Sequence, residues 1–443
     1  MPRTTIATIL PESGPEVDRV PAHAYPPAVN PVNAFLLVVA GVFLVGIAAE
    51  WVFRRTGIPD ALWLLAAGIA VGPATGLASR EHLVAVAPYF GAITIVIVLF
   101  DGGMALRLTD LGRASGRAGS LAVVGFALSA AAVAGATMAA AAWGLLPGTW
   151  MHAITTGVIL GGSSSVVVMP ALRTADAGPA VSTLLGLESA LTDVLCIVAT
   201  GVCVEVLTGG GAAADAGSVS LALLRTLGVG VLVGAAAGVT SLWVLRRVSR
   251  EAQAFPIVLS FLLVLYVAAD ALDGSAPLAI LTAAVFVGNA PIVSKYVGMS
   301  KPAEVGRALR GVHGQVTFMV KTFFFTFMGA MLAPPWSLIL LGAGVALCLL
   351  AVRIPAVLAT TAGMGLDRAS VRMAHVCIPR GMAAGVLSGV PFAQGVTEMR
   401  DVPVVVFATV ATSILVFATG FALARPSPTR TAPGPDSSTA PTA

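Results

Sequence analysis

The chain has 443 residues, 57% of them hydrophobic and only 10% charged, with a mean hydropathy of +0.94. Soluble domains carry roughly 25% charged residues, so this composition excludes a soluble enzyme or nucleic-acid-binding module and indicates a polytopic membrane protein. The formal net charge of +4 calls for no nucleic-acid partner, because the placement of the basic residues along the chain accounts for it.

Residues 1–32 are polar and proline-rich and lack the basic start and apolar centre of a cleaved signal peptide. They read as a disordered extracytoplasmic tail. Apolar stretches of about 20 residues, enough to cross a bilayer as a helix, then recur thirteen times, near 33–53, 60–77, 84–106, 118–143, 150–172, 181–207, 218–245, 254–272, 277–292, 315–333, 337–363, 370–393 and 403–424. The transmembrane domain is thus expected over 33–424, with a Pro/Ser/Thr-rich cytoplasmic tail over 425–443. Alternate loops differ sharply in Lys and Arg. One set, including Arg54, Arg107, Arg173 and the C-terminal tail, holds seventeen, and the other holds only Arg3, Arg19, Arg80 and Arg400. Basic loops stay in the cytoplasm, so the chain is expected to be multi-pass in the cell membrane, N-terminus outside and C-terminus inside. Cys196, Cys203, Cys348 and Cys377 all fall within predicted helices without C-x-x-C spacing, which suits packing and not a disulfide framework or a zinc site.

The informative residues are the polar ones inside the apolar runs. Glu50, Glu205, Asp270 and Arg225 fall near helix ends, where water or snorkelling satisfies them. Helix 5 carries "GGSSSVVVMP" (Gly161 to Pro170) and helix 12 carries "PRGMAAG" (Pro379 to Gly385) at mid-depth. Both are expected to be broken there. Non-helical backbone at that depth is tolerated only inside protein or along a water-filled cavity, although a glycine-rich packing seam is the plainer reading of either alone. The two helices cross in opposite senses, as they would if helices 1–6 and 8–13 were two inverted six-helix repeats joined by helix 7. Interrupted helices at corresponding places in two halves mark a transporter's ion site.

Helix 6 carries "LESALTDVLC" (Leu187 to Cys196). An aspartate at the centre of a membrane helix costs ~2.5–3.5 kcal/mol, so both carboxylates need a function or a partner. The midpoint of the run lies near position 194, which puts Asp193 at the bilayer midplane. Five residues turn Glu188 about 140° away from it. Ser189 shares a face with Asp193, and Thr192 shares one with Glu188. The two acids therefore have different jobs. Asp101, Lys321, Arg353 and Arg380 are the other deep charges.

At these residues the chain resembles the monovalent cation/proton antiporter superfamily, in particular the thirteen-helix, NhaP-like sodium/proton exchanger branch. "ESALTD" (Glu188 to Asp193) resembles its E-S-x-x-N-D signature with Thr192 in place of the Asn. "VLFDGGMALRL" (Val98 to Leu108), "TFFFTFMGAML" (Thr322 to Leu332) and "PRGMAAGVL" (Pro379 to Leu387) resemble its third, tenth and twelfth helices. Ser163, Ser164 and Ser165 depart from the T-D-P common in that branch. The resemblance implies a secondary antiporter, not an enzyme, that exchanges Na⁺, or else K⁺ or Li⁺, for protons. Asp193 would carry proton and cation alternately, with Ser189, Thr192, carbonyls freed at Gly162, Ser163 and Ser164, and more weakly Asp101, completing an oxygen shell. It implies a structural pair of Glu188 with Arg353, and makes Arg380 and Lys321 fixed charges facing the broken helix ends. The only partners implied are the transported ions, the lipid bilayer and a second copy in a homodimer, and no cofactor is implied. Thr192 cannot ionise, so one-for-one electroneutral exchange is expected; an electrogenic cycle through Lys321 is the alternative. An ion channel is a rival reading. So is an intramembrane hydrolase on Ser163 to Ser165, which would need His152 or His375 as base.

Overall fold

The computed structural model describes residues 31–75, 80–109, 116–175, 177–208, 216–248, 254–299 and 306–424. Apart from residues 31 and 32, the two expected tails lie outside the described residues. Each of the thirteen predicted runs falls on one helix or one interrupted helix. These are α1 Pro31–Thr56, α2 Asp60–Ile69 with a π-helical turn Ala70–Ala74, α3 Arg80–Ala105, α4 Gly116–Ala142, α5a Trp150–Ile159 with α5b Ser165–Thr174, and α6 Pro179–Thr208. There follow α7 Ala216–Val248, α8 Ala254–Ala271, α9a Ala276–Gly288 with α9b Ala290–Tyr296, α10 Arg307–Ala330, α11 Trp336–Thr361, α12a Arg368–Val376 with α12b Met382–Leu387, and α13 Val402–Ala424. The protein is an all-α polytopic membrane protein, with no strand among the described residues.

Eight of these helices are long and apolar enough to cross a membrane, and the bent pair α9a–α9b makes a ninth. Helices are the expected solution, because lipid offers backbone N–H and C=O groups no partner and an α-helix satisfies them internally. Leu232, Val264, Leu340 and Leu423 are among the large apolar side chains left exposed, as a lipid-facing surface requires. The described residues up to Ala40 form the first turns of α1 and expose Phe35, Leu36 and Leu37; from Gly41 onward the chain forms one helical unit.

Within that unit α2 packs on α10 and α9a packs on α3, the two contacts that a repeat of helices 1–6 in 8–13 would exchange. Both seams are made by small residues. A methyl group added at Gly68 would stand 2.8 Å from the Gly329 Cα, and one added at Gly288 would stand 2.7 Å from the Met104 Cα. Close backbone approach of this kind is how membrane helices gain packing when burial from water is not available.

Two boundaries differ from the sequence reading. Helix 9, expected to run continuously over 277–292, bends by 90° between α9a and α9b. The residues there are Gly288-Asn289-Ala290-Pro291, and proline both lacks an N–H and clashes with the carbonyl four residues back. The Asn289 side chain takes over the freed ends: it donates to the Leu106 and Val285 carbonyls (2.7 and 2.8 Å) and accepts from the Leu108 amide (2.8 Å), pinning the end of α3. Helix 10 begins at Arg307 and not near 315, because its first turns, with Arg307, Arg310 and His313, are too polar for a hydropathy reading. Lys321 therefore lies near the middle of α10.

Candidate functional site

The interruptions in α5 and α12 meet each other. Backbone 160–164 and 377–381 is non-helical, and the Ser164 amide of one donates to the Pro379 carbonyl of the other at 2.8 Å. Side chains cannot intervene at such a distance. A Cβ on Gly381 would collide with the Ser164 side chain, and one on Gly162 would stand 2.8 Å from Cys196 Sγ and 2.9 Å from the Thr192 carbonyl. Breaking two helices at mid-depth leaves donors and acceptors that must find partners, and several of them are met by named side chains. The Gly162 amide donates to Cys196 Sγ (3.1 Å) and the Ser163 amide to Thr192 Oγ1 (3.2 Å). Arg380 Nη1 donates to the Gly162 carbonyl at 2.6 Å, Nη2 to Ser129 Oγ on α4 at 3.2 Å, and its own amide to Ser413 Oγ on α13 at 3.0 Å.

Asp193 stands at the midpoint of α6, beside this crossing. Ser165 Oγ, on the first residue of α5b, donates to Asp193 Oδ2 at 3.0 Å. Both residues line a cavity of about 1240 Å³ whose wall also holds Asp60, Asp101, Arg107, Arg173 and Lys321. A second cavity, of about 1530 Å³, is lined by Thr200 and Glu205 of α6 and by Asp270, Phe324 and Arg400, but not by Asp193. Ile197, one turn along α6 from Asp193 and 3% exposed, lines both cavities. Ile197 is thus the residue at which the two linings meet.

Glu188, on the other face of α6, meets Arg353 of α11 in a two-pronged pair: Nη2 to Oε2 at 2.7 Å and Nη1 to Oε1. The two side chains are 2% and 7% exposed, so neither charge has water as an alternative. Arg353 Nε also donates to the Ala374 carbonyl (3.0 Å) in the last turn of α12a. A guanidinium at that end of a helix meets unpaired carbonyls and the negative end of the dipole. The pair therefore ties α6 and α11 to the broken α12.

Other site expectations are redistributed. Lys321 does not face the broken helix ends: its ammonium pairs with Asp60 at the start of α2, in the α2–α10 seam. Asp101 pairs through one oxygen with His313 of α10 (Oδ1 to Nε2, 3.0 Å) and lines the same cavity as Asp193. The Gly162 carbonyl is taken by Arg380. Ser163 and Ser189 hydroxyls bond each other at 2.9 Å, and Thr192 Oγ1 donates to the Ser189 carbonyl at 3.1 Å. These hydroxyls are spent on holding the crossing against α6. Arg380 does face the break in α5, as expected. Among the described residues no histidine is hydrogen-bonded to Ser163, Ser164 or Ser165: His152 caps α5a through Thr149, and buried His375 Nε2 has no partner. Sequence reasoning missed Ser165, Asp60, His313 and Ile197. Only Ser165 had a signal, as the last of the three serines, where the helix resumes.

Residues 38–424 match the family described as sodium/hydrogen exchanger, transmembrane. The K(+)/H(+) antiporter NhaP2 of Shewanella oneidensis is 28% identical over 307 residues, covering 68% of this chain and 50% of its own. The K(+)/H(+) antiporter NhaP of Alkalimonas amylolytica is 27% identical over 309 residues, with the same two coverages. The chain spans about half the length of these curated relatives. The structure of the sodium proton antiporter MjNhaP1 from Methanocaldococcus jannaschii at pH 8 superposes with a TM-score of 0.67 over 88% of this chain and 95% of its own, at 18% identity. That likeness is one of fold.

Proposed function

Because the chain belongs to the sodium/hydrogen exchanger family, we propose that it is a secondary antiporter exchanging a monovalent cation for protons by alternating access, with Asp193 carrying each in turn. The observation that supports this most is the position of Asp193. It lines one cavity and not the second, with Ile197 of the same helix lining both, at the crossing of two broken helices. On this reading the carboxylate is reached from one side at a time, and the ion leaves on the far side only when the crossing rearranges. A pore would need both cavities joined. Proton and cation compete because each neutralises a charge that desolvation disfavours, and the arrival of one releases the other.

Further parts of the reading follow from this. Arg107, just after α3, and Arg173, in the last turn of α5b, stand in the wall of the first cavity on the arginine-rich side of the chain, so this cavity opens to the cytoplasm and the N-terminus lies outside the cell membrane. With Thr192 beside a single titrating carboxylate and Lys321 engaged by Asp60, one proton moves against one cation and the cycle is electroneutral. The crossing helices α5 and α12, with α6 and α11, move against a scaffold that pairs in a homodimer. Asp193 and the crossing are the site, Glu188 with Arg353 its structural pair, and the transported ions its only small-molecule partners. Na⁺ is the first cation to try. K⁺ is the second, since the curated relatives carry the name K(+)/H(+) antiporter.

The test is cation-driven proton movement in proteoliposomes, offered Li⁺, Na⁺ and K⁺ in turn. The protein exchanges at least one of them, and Asp193→Asn, which keeps the shape but binds no transported proton, abolishes exchange with folded yield intact. Exchange by Asp193→Asn at the wild-type rate would overturn the proposal.

A further inference from the structure

We infer that the Ser165 hydroxyl is the side-chain ligand that joins Asp193 in holding the cation, changing from hydrogen-bond donor to oxygen ligand with the state of the carboxylate, and that it sets how well a given cation competes with the proton. This rests on the exchanger reading above.

The argument is one of accounting. A hydroxyl has one hydrogen to give and two lone pairs. Thr192 Oγ1 gives its hydrogen to the Ser189 carbonyl and accepts from the Ser163 amide. Ser163 and Ser189 hydroxyls are bonded to each other and are 2% and 0% exposed as residues. The Gly162 carbonyl holds Arg380. None of Gly162, Ser163, Ser164, Ser189 and Thr192 lines the cavity that reaches Asp193, whereas Ser165 does. Of the oxygens clustered at the crossing, the one that both touches the carboxylate and faces the route of approach is Ser165 Oγ.

Its geometry suits three states without backbone movement. With the carboxylate empty, the hydroxyl donates to Oδ2 at 3.0 Å, a charge-assisted bond. When Asp193 is protonated, the carboxyl donates to a hydroxyl lone pair instead. When a cation enters from the cavity, rotation about the Cβ–Oγ bond turns the hydrogen aside and offers a lone pair to the ion. Ser165 is also the first residue of a ten-residue helix, so its position is fixed by α5b, and the positive end of that helix faces the empty carboxylate.

Exchange in proteoliposomes, titrated with Na⁺ and with Tl⁺ as a soft monovalent probe, tests this with three variants. Ser165→Ala raises the Na⁺ concentration for half-maximal exchange by at least about tenfold, the size of losing one bond to a charged group. Ser165→Thr keeps the hydroxyl and stays within about threefold of wild type. Ser165→Cys keeps the shape but substitutes a soft atom, so it weakens Na⁺ far more than Tl⁺. An Ala variant with a wild-type Na⁺ curve, or a Cys variant with an unchanged Na⁺ to Tl⁺ ratio, overturns the inference. If Ser165→Ala fails to fold, the Cys variant decides alone. A wild-type protein that exchanges no cation would instead sink the parent reading, whereas active wild type with indifferent Ser165 variants sinks only this one.

Discussion

The α2–α10 and α3–α9 seams and the α5–α12 crossing bring backbones close by opposite means. In the seams, glycines remove the side chains, and contact is van der Waals packing of backbone on backbone around Gly68, Gly329, Gly103 and Gly288. At the crossing, helices are interrupted, and freed amides and carbonyls are met by the side chains of Arg380, Cys196, Thr192 and Ser413. Backbones packed this closely do not deform continuously, and any sliding of one rod along the other loses the contact. Hydrogen bonds to hydroxyls and guanidinium groups can be exchanged for others of similar energy. The seams suit a part that holds still, and the crossing suits a part that changes.

The largest expected effect falls beside the crossing. Glu188→Ala leaves the Arg353 guanidinium buried without its counter-ion, and loss of one member of such a pair costs about 3–5 kcal/mol. It should lower folded yield and melting temperature more than it alters the cation dependence of the surviving protein. Arg353→Ala added to it should recover part of the loss. Strictly additive losses in thermal melts would show that the two charges do not act as a pair.

Overpacking the seam typically costs about 1–3 kcal/mol and occasionally more, and at Gly68 an added Cβ would collide with the Thr326 carbonyl oxygen. Gly68→Val is expected to reduce folded yield while the cation concentration for half-maximal exchange stays as in wild type. A variant that folds normally but shifts that concentration would move Gly68 out of the holding part and erase the contrast.

The smallest effect is expected at Lys321. Because its ammonium pairs with Asp60 in the α2–α10 seam, it is expected to contribute no charge movement at Asp193. Exchange rates in wild type and in Lys321→Gln should both be indifferent to a membrane potential clamped with valinomycin and K⁺, with Na⁺ as the driving cation. A potential-dependent wild-type rate that vanishes in Lys321→Gln would place the lysine in the transport cycle.

Much of this was legible before the structure, and for particular reasons. A charge inside an apolar run is visible at once, so Asp193 and its mid-helix position could be read directly. Gly161–Gly162 with three serines, and Pro379 to Gly381, announce broken helices by residues that do not suit helix interiors. The pairing of Glu188 with Arg353 came from family resemblance alone, because 165 residues separate them and no local pattern links such distant positions. Lys321 was misassigned because Asp60 opens a helix, where a carboxylate is ordinary. Three consecutive serines hid Ser165: which of them reaches Asp193 is decided by where extended backbone gives way to α5b. The bend at Asn289 escaped because hydropathy does not register a side chain that replaces backbone bonds.

The central claim is that proton and cation share one carboxylate. It is tested most directly by proton release from the purified, detergent-solubilised protein on addition of the exchanged cation, starting weakly buffered at a pH where Asp193 is protonated, with a pH dye as readout. The account predicts about one proton released per cation bound, as competition for a single titrating group requires, and none from Asp193→Asn. Cation binding without proton release, or undiminished release from Asp193→Asn, would contradict it.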